Sequence, residues 1–320
     1  LFKMSPEEIL DPISSVVALL NPRPSISKMI EAGGRWRVER TDLDSPFYAA
    51  ILEGQCRLIV KGRSPMLLGA GDFALIPDLG SFIMESVATP PPGAARFPRK
   101  LGPGYFRLGP SEEPVEMRAL IGHCRFNASA RDILVSLLPD MIHLSGHKRL
   151  MMLATIIHEE TQSSRPARHM ILQRLLEVLM IEGFRSSPGP NRPPGLLRAL
   201  FDPQLSAALH RIHLNTGEAL SVSRLAQEVG MSRSSFYAKF QTALGCAPME
   251  YVTAWRMALA RELLMKKELT NSEIAERIGY GSASAFGMAF LRHEGVSPRQ
   301  FVSQWRENVS KQEDEKIPSA

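Results

Sequence analysis

LAQEVGMSRSSFYAKFQTALGCAPMEYV, residues 225–252, and IAERIGYGSASAFGMAFLRHEGVSPRQFV, residues 274–302, are two versions of one pattern. Ala226, Gly230, Phe236, Phe240, Gly245 and Pro248 recur in order as Ala275, Gly279, Phe286, Phe290, Gly295 and Pro298, with one extra residue in the second turn. An alanine gives a small side chain where two helices cross closely, and the glycine after it permits the turn that ends the first helix. The two phenylalanines, four residues apart, fall on one face of the second helix. Ser232 and Ser282 each precede that second helix, placed to cap its unpaired backbone N–H groups. Each copy therefore predicts a helix-turn-helix.

Between the copies, residues 248–267 carry Tyr251, Val252, Trp255, Met257, Ala258, Ala260, Leu263 and Leu264. They predict a connecting helix of about 18 residues, about 27 Å long at 1.5 Å per residue. That reach places two recognition helices roughly one DNA turn, about 34 Å, apart on one face of a duplex. A plain helical domain whose repeats only pack together leaves the ordered recurrence of alanine, glycine, cap, phenylalanine pair, glycine and proline without a reason.

With Phe236 and Phe240 in the core, the helical period sends Ser234, Ala238 and Gln241 to the opposite side and Tyr237 to its shoulder. Arg233 and Lys239 suit phosphates, with guanine as the alternative target of Arg233; Ser234 suits a base edge and Tyr237 a thymine methyl. In the second copy Ala283, Ser284, Gly287 and Met288 occupy the exposed face, a poorer set for reading bases. Its specificity is expected to be lower. Ser282 and the backbone donors at the start of that helix, with Arg292 and Arg299, offer phosphate contacts. The alternative reading of the two arginines is as solvated surface residues.

Composition bounds the rest. The 320 residues are 44% hydrophobic and 22% charged, which fits folded domains and neither disorder nor a membrane protein. Net charge is +5, and residues 211–310 hold 12 basic against 9 acidic side chains, so DNA contact must come from local placement of Arg and Lys. Cys56, Cys124 and Cys246 form no close pair, so no disulfide framework or structural zinc motif is expected and a reducing cytoplasm fits. The first 21 residues carry acids and two prolines, and no apolar run approaches a membrane span, so no export or insertion signal is expected.

From about residue 36 to 117, short apolar runs (47–52, 56–60, 73–77, 82–87) are separated by Gly and Pro turns, which predicts an antiparallel sandwich or small barrel. Residues 90–110 read as a long loop. Helices are expected over 132–138, 148–160 and 168–184. In the last, Ile171, Leu172, Leu175, Leu176, Leu179 and Met180 form an apolar stripe that packs either on the sandwich or against a second subunit. Residues 186–195 hold four prolines and two glycines and suit a linker.

The two C-terminal stretches resemble the AraC/XylS family of bacterial regulators, over about residues 206–307. The N-terminal half is similar to the cupin-type sensor domain of one branch of that family, in EGQCRLIVKGRSPMLLGAGDFALIP (residues 53–77) and in the LLP at residues 137–139. The resemblance implies an α+β fold: a cupin-like sandwich or barrel over 1–130, helices for coupling or dimerisation over 131–185, the linker, an all-α double helix-turn-helix domain over 196–310 and a polar tail over 311–320. It implies base reading from Ser234, Tyr237 and Ala238, and an arginine often stands in the family where this chain has Met288. The function implied is a ligand-responsive, sequence-specific regulator of transcription in the cytoplasm, an activator or a repressor. Its partners would be double-stranded operator or promoter DNA, a small-molecule effector, RNA polymerase and a second copy of the chain, with no membrane, no cofactor and no enzymatic activity.

Many cupins bind metal through a His-x-His pair, a Glu and a later His. The sheet region has no His-x-His and its later strand, residues 71–80, no following His, so a metal-dependent enzyme is not expected. His143 and His147 have a helix-face spacing and His123 adjoins Cys124, readable as metal sensing or as packed and surface side chains. Cys124 reads as a redox switch or as a buried apolar cysteine. An apolar effector would fit the sandwich interior.

Overall fold

The computed structural model describes residues 12–41, 46–60, 62–77, 81–90, 98–126, 137–186 and 195–314. The chain divides into two compact units, the first over residues 16–198 and the second over 199–314, with the short helices at 12–20 and 196–200 crossing the divisions.

The first unit follows α1 (Pro12–Leu20) with β1 (Arg23–Ala32), β2 (Arg37–Thr41), β3 (Phe47–Glu53), β4 (Gln55–Val60), β5 (Met66–Gly69), β6 (Asp72–Ile76), β7 (Ser81–Glu85), β8 (Arg99–Gly102), β9 (Tyr105–Leu108), β10 (Met117–Arg125), β11 (Ile142–Ser145), α2 (Lys148–Gln162) and α3 (Arg168–Ser186). The strands form a seven-stranded sheet, β11-β6-β3-β10-β1-β9-β8, and a four-stranded sheet, β2-β7-β4-β5. β1 and β9 run parallel, and the other recorded pairs are antiparallel.

Strand period explains the layering. Phe47, Ala49 and Ile51 of β3 face a core shared with Trp36, Cys56, Leu58, Ile76, Phe82 and Met84, while Tyr48 and Ala50, pointing the other way, are buried too. The second face is covered by α2 and α3, which pack on β1, β3, β10 and β11. A strand covered on both sides reads as a nearly unbroken apolar run, as FYAAILE does. Tyr48 lies opposite Gly122 on β10, and its ring fills the space that any Cβ at Gly122 would need.

Several expectations change. The sheet extends beyond 36–117, because β1 and most of β10 lie outside that window. Residues 90–110 are not one loop: β8 and β9 form a hairpin that joins the large sheet through β1. The region expected to be helical contains β11, paired with β6. Of the helix expected over 132–138, Leu137 and Leu138 are not α-helical and the rest lies outside the described residues, as do 187–194 of the linker and 315–320 of the tail. The α3 stripe is mostly intramolecular. Leu172, Leu176, Leu179 and Met180 are buried, Leu175 is half-buried and Ile171 is exposed.

In the second unit, α4 (Leu196–Leu200) leads into α5 (Pro203–Leu214), α6 (Val222–Glu228), α7 (Arg233–Leu244), α8 (Pro248–Lys266), α9 (Asn271–Arg277), α10 (Ala283–Glu294) and α11 (Pro298–Asp314). The repeat holds at the level of single hydrogen bonds. After α6, Gly230 N donates to Gln227 O and Met231 N to Ala226 O; after α9, Gly279 N donates to Glu276 O and Tyr280 N to Ala275 O. Both glycines have left-handed backbone, φ 69° and 81°, as the turn requires. Gly245 and Gly295 close α7 and α10 in the same conformation.

α8 serves both halves. Its Tyr251 ring meets Phe240 at 5.8 Å, and its Met257, Ala260, Leu263 and Leu264 join Ile274, Ile278, Phe286 and Phe290 in the second core. Arg261 on α8 and Glu294 on α10, both largely buried, pair at 3.0 Å. His213 on α5 stacks on Trp255 at 3.6 Å and its Nε2 lies 2.8 Å from the Tyr251 hydroxyl.

The two turn glycines differ in surroundings. An added Cβ at Gly230 meets nothing within 4 Å, whereas at Gly279 it would sit 2.8 Å from the Thr216 carbonyl oxygen. Gly230→Ala is expected to cost about 1 to 2 kcal/mol from the left-handed backbone alone, and Gly279→Ala distinctly more. Urea unfolding of the two variants, compared with the parent chain, checks the order.

Burial, reinforced by His210, holds the His213 pKa down to about 3 against its ordinary 6.5. Between those values the unfolded chain binds a proton that the folded chain does not, so stability falls as pH falls through the window, by up to about 1.4 kcal/mol per pH unit. His213→Gln should flatten the dependence of the second unit's unfolding free energy on pH between about 6 and 4. An unchanged slope would place the acid sensitivity elsewhere.

Candidate nucleic-acid interface

The outward face of α7 is fixed by what α7 buries. Phe236 and Phe240 are fully buried, their rings 5.6 Å apart, with Ala243 and Leu244 completing the inward stripe. Arg233, Ser234, Tyr237, Ala238 and Gln241 are all exposed, Tyr237 at 41%. Ser232 caps the helix, its hydroxyl accepting from Ser235 N and lying 3.2 Å from the Ser234 hydroxyl. Free backbone donors and three serine hydroxyls thus gather at the tip. Arg233 has no ion-pair partner among the described residues.

Lys239 is held by partners within the domain. It is half-buried toward the core side of α7, its ammonium 2.7 Å from Asp202 Oδ2 and 2.8 Å from Gln204 Oε1. Asp202 in turn caps α5, accepting from Gln204 N and Leu205 N. Burial works against its charge, but the Lys239 and backbone hydrogen bonds outweigh it and hold the carboxyl below its usual range. The i+3 step from Phe236 keeps Lys239 near the buried stripe, where it links α7 to α5, so the phosphate contact expected from sequence would compete with this pairing.

On α10, Phe286 and Phe290 are fully buried, and Ser282 caps the helix by accepting from Ala285 N. Ser284 and Met288 are exposed, Met288 at 64%, while Ala283 and Gly287 are half-buried. Leu291, absent from the sequence-derived set, belongs to this face: it is 48% exposed and follows Phe286 by the interval at which Gln241 follows Phe236. The repeat itself carried that signal. The outward strip of α10 is therefore apolar, Met288 and Leu291 beside Gly287 and Ser284. Arg292 and Arg299 are exposed without an ion-pair partner among the described residues. Arg292 lies near Tyr280, whose ring also carries the Arg256 guanidinium at 5.8 Å.

Other charges are compensated locally. Arg211 and Arg224 share Glu218 and Glu228, with separations of 2.6 to 3.1 Å. That network ties α5, α6 and their connection together and leaves little net field.

The candidate sensor chemistry also resolves. His143 lies on β11, its Nε2 3.3 Å from Asp72 Oδ2, and His147 precedes α2, so they share no helix face. Among the described residues no three His, Cys, Asp or Glu side chains gather as metal ligands. Cys124 is fully buried, and burial pushes its thiol up to about 12, so the redox-switch reading gives way to a buried apolar cysteine. No helix among the described residues is long and apolar enough to cross a membrane.

A two-sheet sensor unit followed by paired helix-turn-helix motifs with capped, outward-facing recognition helices defines a DNA-binding transcription regulator. The family described as Cupin matches residues 11–187, and that described as Helix-turn-helix domain matches residues 225–304. The chain is 31% identical over 307 residues to an AraC-like transcription regulator of Streptomyces lividans, covering 91% of this chain and 98% of that protein. It is 23% identical over 307 residues to the RCS-specific HTH-type transcriptional activator RclR of Escherichia coli, covering 93% and 99%. Among solved structures it matches a transcriptional regulator with an AraC-type DNA-binding domain from Chromobacterium violaceum, 29% identical over 32% of this chain and 91% of that one, TM-score 0.30. The chain belongs to the AraC-like family of transcription regulators, with an N-terminal cupin domain, and is a sequence-specific DNA-binding protein rather than an enzyme.

Lys239→Met separates the two roles of that lysine. The variant is expected to lose about 0.5 to 1 kcal/mol of stability, as for a partly screened ion pair, while the salt dependence of DNA binding stays unchanged. A phosphate contact would instead lower the log–log salt slope by about 0.9.

Proposed function

We propose that this regulator reads its operator chiefly with α7 and anchors the duplex with α10, under control of a small molecule bound by the first unit. The observation that carries the reading is the unequal chemistry of the two outward strips. Ser234, Tyr237, Ala238 and Gln241, with Arg233 at the tip, offer hydrogen-bonding and aromatic contacts to base edges. Met288 and Leu291 can only cover apolar surface such as thymine methyls, while Ser282, Arg292, Arg299 and the N-terminal donors of α10 take phosphates.

The remaining parts of the reading follow from the architecture. A linker over residues 186–195 would separate sensor from DNA-binding domain. Met152, Ile156, Met170, Ile171 and Val178 leave an exposed apolar margin on α2 and α3, which supports pairing with a second copy. RclR of Escherichia coli is a transcriptional activator, which supports positive control here; contact with RNA polymerase in the cytoplasm is part of the same proposal. An effector acts only through different affinities for two states, and by linkage DNA alters effector affinity by the same factor.

The test is titration of Tyr237→Ala and Arg292→Ala on an operator found by genome-wide mapping and on random DNA. Tyr237→Ala is expected to lose about 1 to 3 kcal/mol on the operator and little on random sequence. Arg292→Ala should weaken both and reduce the salt slope by about 1. Unchanged operator-to-random ratios in both variants would sink the assignment.

A further inference from the structure

Arg256 lies near the middle of α8, where the core of the first motif ends and that of the second begins. Its guanidinium reaches back to the α5–α6 connection: Nε donates to the Thr216 carbonyl at 3.1 Å and Nη2 to the Glu218 carbonyl at 2.7 Å. The same group lies over the Tyr280 ring, 5.8 Å from its centroid, just past the turn of the second motif. One half-buried side chain thus touches both motifs, and it has no ion pair among the described residues. Its donors are spent on fixed backbone carbonyls rather than on a mobile acid.

The α5–α6 connection and the second motif also meet directly. A Cβ at Gly279 would stand 2.8 Å from the Thr216 carbonyl oxygen, and one at Gly217 3.2 Å from the Arg277 carbonyl oxygen at the end of α9. Two glycines therefore permit an approach that larger residues would hold apart. The connection is itself braced. Buried Thr216 donates through Oγ1 to the His213 carbonyl at 3.0 Å, Asn215 Nδ2 donates to Glu218 Oε1 at 2.7 Å, and the Glu218 carboxylate also pairs with Arg211 and Arg224. Arg292 on α10 lies near the same Tyr280 ring. A contact set off the α8 axis resists rotation of one motif against the other with a leverage that packing along the axis lacks.

We propose that Arg256 is a positioning residue for DNA recognition: its fork on the Thr216 and Glu218 carbonyls, packed on Tyr280, holds the second motif against the first and sets where Arg292 stands relative to the base-reading face of α7. Arginine suits this task because one planar fork binds two carbonyls and covers an aromatic face at once, which a lysine ammonium does not. The inference rests on the reading of α10 as the phosphate anchor and adds what places that anchor.

The experiment uses the full chain. In a Cys246→Ser background, spin labels at Gln241→Cys and Met288→Cys report the distance between the outward faces of α7 and α10 without DNA; Cys56 and Cys124 are buried. A single narrow distance is expected in the parent, and loss of that narrow peak in Arg256→Met. Gly217→Ala, which wedges the same seam without changing charge, should broaden the peak too, and decides alone if Arg256→Met fails to fold. Operator titration then gives the cost of Arg292→Ala, about tenfold in the parent. In the Arg256→Met and Gly217→Ala backgrounds it should fall below about twofold, because a displaced anchor and its positioning group are coupled. Lower stability alone would weaken binding yet leave the distance and the Arg292 cost as they are. A narrow, unshifted distance in both variants, or an Arg292 cost that keeps its full size in both, would overturn the assignment. An Arg292→Ala variant without cost in the parent sinks the anchoring reading of α10 instead, and the distances then judge Arg256.

Discussion

Burial of a phenylalanine pair on each recognition helix is the constraint from which the DNA-binding surface follows. Phe236 with Phe240, and Phe286 with Phe290, are fully buried, and each ring contributes about 1.5 to 3 kcal/mol by leaving water. Rotating either helix by one residue would expose its rings, and on α7 would also bury a polar neighbour such as Gln241, a loss no surface contact could offset. The rotation is therefore locked, and every other residue on α7 and α10 inherits its direction from that lock.

The sensor unit obeys a different period under the same rule. Its large sheet is covered on one face by the small sheet and on the other by α2 and α3, so the alternation of strand side chains sorts residues between two apolar compartments. Tyr48 over Gly122 belongs to the helix-covered compartment, Phe47 and Phe82 to the inter-sheet compartment. Large residues on the inter-sheet side leave space between them, and the cationic groups of β1, β2 and β10 reach it because strand alternation points Lys28, Arg40 and His123 inward together.

What was legible in the sequence tracks how local each cause is. The helix-turn-helix pair was readable because caps, turn glycines and the phenylalanine spacing act within a few residues. The central strands β3, β4, β6 and β7 were readable from apolar runs between turns. The β8–β9 hairpin was not, since RKLGPGYFRL spends its glycines and proline on the turn and gains its order only by pairing with distant β1. β11 was hidden for a similar reason, being four residues long and held by β6. At the site, the pairing of Lys239 was hidden because its partner Asp202 is 37 positions away in sequence, whereas Leu291 was recoverable by laying one repeat on the other.

α8 decides how the two strips act together. One side of this helix completes the α7 core through Tyr251 and its other portion completes the α10 core through Met257, Ala260 and Leu264, with the buried Arg261–Glu294 pair adding a directional tie. A helix buried by both halves cannot bend without opening one of them. The two recognition helices therefore present their outward strips as one body, and in the proposed reading phosphate contacts of α10 would raise the effective concentration of α7 at its bases. Such a division needs hydrogen-bonding side chains on only one helix. On that reading the apolar strip of Met288 and Leu291 is tolerable on the other, which would fit the groove while α7 chooses the sequence.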